Sequence, residues 1–174
     1  MDAHDRTAAA VVGLGYVGLP MAVALAKAGY RVLGLDIDAD KINRLNAGRS
    51  TVIGIDDETI RSIRDRFTAG SDFAAVSGAK AVVICVPTPL TPEREPDLSH
   101  IRSAVGAMLP HLARGTLIAL ESTTYPGTTD ELIRRAVEEA RGWRTGEDFH
   151  LCYSPERIDP GNRVYRLDNS PKIV

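Results

Sequence analysis

The sequence predicts an α/β fold: a doubly wound, mostly parallel sheet with helices on both faces. Two observations predict it. Short apolar segments typical of buried strands alternate with segments whose apolar residues recur at helical spacing. A glycine-rich turn at residues 13–18 joins the first strand-like segment to the first helix-like one. We expect one domain over residues 1–174, a length at which a chain buries roughly 70% of its unfolded surface.

The first half of the chain contains two strand–helix repeats and one further helix. Residues 8–12 are apolar and end at Gly13, which is typical of a buried strand. Residues 18–28 are rich in Ala and Leu and stop at Gly29, a favourable residue for a helix C-terminus. Next, we expect a strand at 31–36, a helix at 39–46, and a helix at 56–67 with Ile60 and Ile63 at helical spacing.

The second half repeats the alternation. Residues 81–86 are small or β-branched and uncharged, which predicts a strand. Residues 97–112 open with Asp97 as a cap and carry an apolar stripe on one face, which predicts a helix. The remaining predicted elements are a strand at 116–121, a helix at 128–140 and a strand at 149–153.

The linker at 87–96 is unusual because it contains four prolines. It follows the carboxyl end of a central predicted strand, where doubly wound folds bind their ligands. It is equally consistent with a stiff surface connection, and the sequence leaves both interpretations open.

Composition excludes several classes of protein. The chain is 44% hydrophobic and 25% charged, as ordered globular domains are. Its 21 Lys and Arg residues are scattered and offset by 23 acids, so we expect neither a nucleic-acid nor a membrane partner. The apolar runs are far shorter than the roughly 20 residues that span a bilayer. Two cysteines form no disulfide framework and residues 1–10 resemble no signal peptide, so we expect a cytoplasmic location.

Cysteine, histidine and tryptophan positions favour packing over chemistry. Cys85 and Cys152 lie in or beside apolar strand patterns, where a thiol acts as a small hydrophobic side chain. The histidines at 4, 100, 111 and 150 have no ligand spacing with them, so we expect no metal site. Trp143 lies in a loop bounded by glycines, and we interpret it as a cover over the core.

The glycine-rich turn carries the strongest functional signal. Gly13, Gly15 and Gly18 form a G-x-G-x-x-G pattern between a predicted strand and a predicted helix, as a dinucleotide-binding turn requires. Gly13 permits the tight turn, Gly15 lets the backbone approach a pyrophosphate, and Gly18 lets the helix pack closely. The amides of Tyr16 and Val17 would then point at the phosphates from a helix N-terminus.

Asp36 completes this pattern at the end of the second predicted strand, 23 residues after Gly13. That separation is near the usual value of about 20. An acid here accepts hydrogen bonds from the adenosine ribose and repels a 2′-phosphate; Asp38 adds to the repulsion, and no Arg immediately follows Asp36. The sequence therefore predicts a Rossmann-type domain that binds NAD rather than NADP. The alternative is a structural glycine turn beside a solvated aspartate.

Three further motifs follow predicted strands. In 86–89, Val-Pro-Thr-Pro, the hydroxyl of Thr88 can reach a cofactor ribose, or the segment is a plain loop. In 121–127, Glu-Ser-Thr-Thr-Tyr-Pro-Gly, the hydroxyls can position a substrate alcohol or water, or cap a helix starting near Thr128. In 154–162, Glu156 is either a general base or part of a rigid solvated turn.

Together these motifs resemble the NAD-binding, amino-terminal domain of the UDP-glucose/GDP-mannose dehydrogenase family. The run Gly-Leu-Gly-Tyr-Val-Gly-Leu-Pro at 13–20 is similar to the family's phosphate loop. Residues 85–89, 121–129 and 153–162 are similar to its next three signatures, in order and at its spacing. The last segment is more similar to the branch of UDP-N-acetylglucosamine and UDP-N-acetylmannosamine 6-dehydrogenases than to the UDP-glucose branch.

The resemblance implies a role in polysaccharide biosynthesis: oxidation of a UDP-sugar C6 alcohol to a carboxylate with two NAD, through a cysteine-bound thioester. It implies that Thr123 orients the catalytic water and that Glu156 acts as a base in thioester hydrolysis. The predicted cofactor-binding residues, from the motifs and the resemblance together, are Gly13, Gly15, Tyr16, Val17, Gly18, Asp36, Lys41, Val86, Pro87, Thr88, Ser122 and Thr123.

Two departures from the family pattern matter. Pro160, beside Asp159, stands where the UDP-glucose branch has a second acid, so the role of a second carboxylate stays open. Neither Cys85 nor Cys152 matches the nucleophilic cysteine of the family. These 174 residues also contain no counterpart of the family's helical Lys and Asn, its dimer-forming helix or most of its nucleotide-sugar site. We therefore expect the chain alone to be inactive and the full-length family protein to be a homodimer.

Two other functions stay open on the sequence. One is a free-standing NAD-binding or NAD-sensing module without catalysis. The other is the Rossmann domain of a β-hydroxyacid-type dehydrogenase, whose pattern has no place for the Ser-Pro-Glu-Arg segment at 154–157.

Overall fold

The structure, a computed structural model, describes residues 8–156. Six parallel strands form one sheet in the order β3-β2-β1-β4-β5-β6. The strands are β1 (Ala8–Val12), β2 (Val32–Leu35), β3 (Phe67–Gly70), β4 (Ala79–Ile84), β5 (Leu117–Leu120) and β6 (His150–Tyr153). The strand order reverses between β1 and β4, so the carboxyl ends of these two strands flank a crevice of the kind that binds dinucleotides.

Within the described residues 8–156, five α-helices cover the sheet. They are α1 (Gly18–Lys27), α2 (Ala39–Asn46), α3 (Asp57–Ser62), α4 (Ser99–Met108) and α5 (Arg135–Arg141). Short 3-10 segments lie at Phe73–Gly78 and Leu109–His111, and a π-helical turn at Thr129–Arg134 leads into α5. No helix within residues 8–156 is both long enough and apolar enough to cross a membrane.

The core lies on both faces of the sheet. Along β1, Val11 packs into a cluster with α1, α2 and α3, whereas Ala10 and Val12 pack into a second cluster with α4 and α5. Strands buried on both faces need a continuous apolar sequence, which explains the unbroken run in β1. The α/β, doubly wound prediction is confirmed. The predicted domain bounds, 1–174, extend beyond the described residues and stay a prediction.

The predicted helix at 56–67 is wrong in its second half. Asp56 caps α3 by accepting the amide of Thr59 at 2.7 Å, but the helix ends at Ser62. Phe67 instead begins β3, which was not predicted and pairs with β2 from Val32 onward. A four-residue strand with two buried side chains leaves a weak pattern, and its pairing with β2 outweighs local helical spacing.

Two other helices differ at their ends. Asp97 accepts the amide of Ser99 at 2.8 Å, but the N-cap residue is Leu98. The helix predicted at 97–112 therefore begins at Ser99, ends at Met108 and passes into a 3-10 turn. Pro110 lies in that turn and cannot donate to continue an α-helix. The hydroxyl of Thr128 donates to the carbonyl of Tyr125 at 3.0 Å and accepts no helix amide, so the interpretation of Thr128 as a cap is wrong.

Candidate functional site

A cavity of about 820 Å³ lies at the carboxyl ends of the strands. It extends from the end of β2 across the glycine-rich turn to the segments that follow β4, β5 and β6. All but one of the predicted site residues line it: Gly13, Gly15, Tyr16, Val17, Asp36, Lys41, Val86, Pro87, Thr88, Ser122, Thr123 and Glu156. The parallel sheet therefore brings the four motifs to one rim, as their positions after strands predict.

Each glycine of the turn has a different reason to lack a side chain. Gly13 has φ +90°, and a Cβ there would lie 2.9 Å from the carbonyl oxygen of Cys85. A Cβ on Gly18 would lie 1.8 Å from the carbonyl oxygen of Gly13, so this glycine packs α1 against the turn and is the predicted residue that does not line the cavity. Gly15 has no protein atom within 4 Å of an added Cβ, so its backbone faces open space that a ligand can enter.

Asp36 is held rigidly at the other end of the cavity. It is only 7% exposed. Its Oδ2 accepts the amide of Leu14 at 2.8 Å and the ammonium of Lys41 at 2.7 Å, and its Oδ1 accepts the amide of Asp38 at 3.0 Å. Burial alone would raise the pKa of Asp36, but the bonds from Lys41, Asp38 and Leu14 outweigh it and hold the pKa below its ordinary value. The alternative of a solvated aspartate is therefore wrong.

The turns after β4 and β5 are joined by two side-chain hydrogen bonds. Ser122 Oγ donates to the carbonyl of Val86 at 2.6 Å, and Thr88 Oγ1 donates to the carbonyl of Thr123 at 2.5 Å. Both hydroxyl protons are used within the protein. The remaining lone pairs of Thr88 and Ser122 can therefore accept hydrogen bonds from a ligand that donates, such as a ribose hydroxyl or a carboxamide.

The proline-rich linker divides into two parts, and the ligand-binding interpretation stays a prediction for the first of them. Residues 87–89 line the cavity. The remainder closes on itself through a bridge between Leu90 and Pro96 and a 2.7 Å bond from the amide of Asp97 to the carbonyl of Pro89. That part is a stiff surface connection.

Several cavity residues were not predicted. Glu121 is buried at the end of β5, and His100, Ser103 and Ala107 lie on one face of α4. The helical face has a visible signal, since these residues recur at i, i+3 and i+7 beside the apolar stripe, and Ala104 of that stripe lines the cavity with them. No such signal in the sequence indicates Glu121, because a carboxyl that follows a strand is expected to be solvated unless its partner on another strand is known.

The cysteines and the tryptophan behave as packing residues. Cys85 is buried, and Cys152 is half-buried. Burial, and then the negative charge of Glu121, raise the pKa of the Cys152 thiol, whereas a nucleophilic cysteine needs a lowered pKa. Trp143 is buried, with the guanidinium of Arg141 4.4 Å from its ring centre, which confirms its interpretation as a cover.

Among residues 8–156, no group of three or more His, Cys, Asp or Glu side chains is placed to hold a metal ion. The 154–162 motif is described only to Glu156, so Asp159 and Pro160 lie outside the described residues.

Comparisons with known proteins add to this geometry. Residues 7–174 match the family described as "UDP-glucose/GDP-mannose dehydrogenase family, NAD binding domain". The UDP-N-acetyl-D-mannosamine dehydrogenase of Pyrococcus horikoshii is 35% identical over 170 residues, which cover 95% of this chain and 40% of that protein. The UDP-N-acetyl-D-glucosamine 6-dehydrogenase of Salmonella typhi is 36% identical over 171 residues, which cover 98% of this chain and 40% of that protein.

A solved structure shows the same fold. The UDP-D-ManNAc dehydrogenase structure from Pyrococcus horikoshii has a TM-score of 0.83 at 35% identity, covering 88% of this chain and 37% of that one. The chain thus spans about 40% of the length of the curated relatives it matches.

Proposed function

Because the chain belongs to the UDP-glucose/GDP-mannose dehydrogenase family, as its NAD-binding domain, we propose that its strand-end cavity holds NAD across the reversal of strand order. The adenosine ribose lies at Asp36, and the pyrophosphate lies against the amides of Tyr16 and Val17. The nicotinamide half then lies on the side of β4, β5 and β6. Family membership also excludes the alternative of a β-hydroxyacid-type dehydrogenase.

The observation that carries this proposal is the fit of the glycine-rich turn. Gly13 and Gly18 have no room for a side chain because of protein backbone, but Gly15 has open space where its Cβ would be. A packing role explains the first two glycines and leaves the third unexplained. Gly106 has equal open space but is not part of the cavity wall, whereas Gly15 lines the cavity. A ligand that approaches the backbone closely therefore explains Gly15, and the buried, ionised Asp36 supplies an acceptor for its ribose.

We infer that the whole protein oxidises the C6 alcohol of a UDP-sugar to a carboxylate. This is a four-electron oxidation, so two NAD⁺, bound one after the other, would supply the two hydride acceptors. Thr88 and Ser122 hold the ligand through their free lone pairs, Thr123 orients a water, and Glu156 accepts a proton from it during hydrolysis. Since neither Cys85 nor Cys152 has the environment of a nucleophile, the thiol comes from outside residues 8–156.

The substrate is proposed to be a UDP-N-acetylhexosamine. The support is that relatives 35% and 36% identical to this chain are named as UDP-N-acetyl-D-mannosamine and UDP-N-acetyl-D-glucosamine dehydrogenases. A homodimeric assembly and a cytoplasmic location stay predictions of the resemblance and the sequence.

Filling the space at Gly15 tests the cofactor site without disturbing the fold. Gly15→Ala places a methyl group where no protein atom is near, and Gly106→Ala, on the exposed face of α4, is a matched control with equal space. We expect Gly15→Ala to weaken NAD⁺ binding at least about tenfold in titration calorimetry, a loss of roughly 1.4 kcal/mol. Equal affinity in the wild type and both variants would contradict the proposed site.

A further inference from the structure

Two buried polar side chains meet where β5 and β6 end. Glu121 is 3% exposed and Ser154 is 6% exposed. The hydroxyl of Ser154 donates to Oε1 of Glu121 at 2.5 Å. Each residue also extends the sheet by one backbone bond, from the amide of Glu121 to the carbonyl of Ile84 and from the amide of Ser154 to the carbonyl of Leu120, both 2.9 Å.

A carboxyl is a costly choice for a merely structural contact at this depth. A buried carboxyl is stable only when other groups satisfy it, and an apolar pair of similar size would join two strands without that cost. Glu121 also lines the cavity and so belongs to its wall. Buried ionisable groups of this kind concentrate at functional sites.

Ser154 opens the turn that carries Glu156 to the cavity. Only Pro155 separates the two residues, and proline fixes its own φ near −65°. The direction of the backbone at Ser154 therefore sets the place of Glu156. On this side the cavity is bounded by Glu121, Ser122, Thr123 and Glu156, whereas Asp36 and Lys41 bound the opposite end.

We propose that Glu121 is a positioning residue: its bond from Ser154 fixes the 154–156 turn and so shapes the nicotinamide end of the cavity. The proposal rests on the proposed binding of NAD. It separates the ends of the cavity, because the adenosine end uses the glycine-rich turn and Asp36, whereas this pair lies where β5 and β6 end. Losing the bond weakens the binding of a ligand that reaches both ends of the cavity, and it does not change the binding of a ligand confined to the adenosine end.

The test compares NAD⁺ with ADP in titration calorimetry on the chain and four variants. These are Ser154→Ala, Glu121→Ala, the double variant, and Glu121→Gln, which keeps an oxygen acceptor for Ser154. Ser62→Ala is the matched control, since its hydroxyl bonds a backbone carbonyl on exposed α3. Because the lost bond lies within the protein and not to the ligand, we expect only part of its free energy to appear in NAD⁺ binding, as about a tenfold loss of affinity.

The expected pattern is specific to positioning. Ser154→Ala and Glu121→Ala each weaken NAD⁺ binding about tenfold. The double variant binds NAD⁺ no more weakly than the worse single variant, because each substitution removes the same hydrogen bond. The NAD⁺ affinity of Glu121→Gln stays within about threefold of the wild-type affinity, because the amide oxygen still accepts the bond from Ser154. A small loss remains because a neutral hydrogen bond is weaker than a charge-assisted one. ADP affinity is unchanged in every variant.

Other outcomes are distinguishable. Equal losses for ADP and NAD⁺ would indicate a general structural role and overturn the inference, as would additive losses or unchanged NAD⁺ affinity. If the wild-type chain bound neither ligand, the proposed function itself would fail.

Discussion

At the scale of single residues, hydrogen bonds from the protein itself hold the carboxylate of Asp36 in place. Three donors fix its two oxygens, and one of them is the cation of Lys41. The sequence discloses Asp36 through its spacing from Gly13, but it does not disclose that Lys41, in the first turn of α2, forms an ion pair with it. We therefore expect the predicted preference for NAD over NADP to depend on this ion pair as well as on negative charge.

Replacing Asp36 tests the ribose contact. Asp36→Asn removes the charge and keeps the shape, so NAD⁺ affinity should fall roughly ten- to a hundredfold, corresponding to one or two bonds to a charged acceptor. Lys41 is then released, and NADP⁺ should lose less affinity than NAD⁺ does. Competition calorimetry at low salt measures both. Asp40→Asn, exposed on the same helix, is the control; an unchanged ratio of the two affinities in Asp36→Asn would refute the charge argument.

The pH dependence of stability offers a second test of Asp36. Its pKa is lowered in the folded state from 3.8, so the stabilisation is present above that value and is lost as pH falls through the lower, folded-state pKa. The difference in unfolding free energy between the wild type and Asp36→Asn should therefore be constant from pH 7 to about pH 5 and shrink below about pH 4. Urea unfolding over that range measures it. A difference that grows as pH falls would show that the folded-state pKa is raised instead.

At the scale of elements, the sequence predicts those strands and helices whose formation depends on short segments of the chain. The unbroken apolar run of β1 and the glycine stop after α1 are properties of short segments, and these two elements lie where the sequence indicates. The strand predicted at 81–86 is shifted by two residues, because β4 spans Ala79–Ile84 and includes the exposed Lys80. β3 depends on its pairing with β2, and the bond between Glu121 and Ser154 depends on β5 and β6 lying side by side. Such features need the assembled sheet, so the sequence alone could not disclose them.

Trp143 separates the core from the site. Because it is buried beside Arg141 and Phe149 and lies away from the cavity, Trp143→Ala should lower the free energy of unfolding by about 3–5 kcal/mol. NAD⁺ affinity of the folded protein should not change. Urea denaturation followed by far-ultraviolet circular dichroism, with Trp143→Phe as the milder control, gives the first quantity. A loss below about 1 kcal/mol would mean that Trp143 is not part of the core.

At the scale of the whole molecule, the sheet order brings the predicted cofactor-binding and catalytic residues to one rim, but neither cysteine has the environment of a nucleophile. Cys85 is buried, and Cys152 is half-buried near the negative charge of Glu121. The 174-residue chain should therefore form no NADH from NAD⁺ and UDP-glucose, UDP-N-acetylglucosamine or UDP-N-acetylmannosamine, as followed by absorbance. Sustained turnover that disappears in Cys85→Ser or Cys152→Ser would overturn this reading of the thiols.

We propose that the strand-end cavity is a dinucleotide site with its adenosine end at Asp36. A crystal structure of the chain with NAD⁺ tests this proposal. We expect ribose hydroxyls within about 2.5–3.2 Å of the Asp36 carboxylate and the pyrophosphate against the amides of Tyr16 and Val17. A dinucleotide bound elsewhere, such as in the smaller cavity of about 460 Å³ beside Thr124 and Cys152, would contradict it.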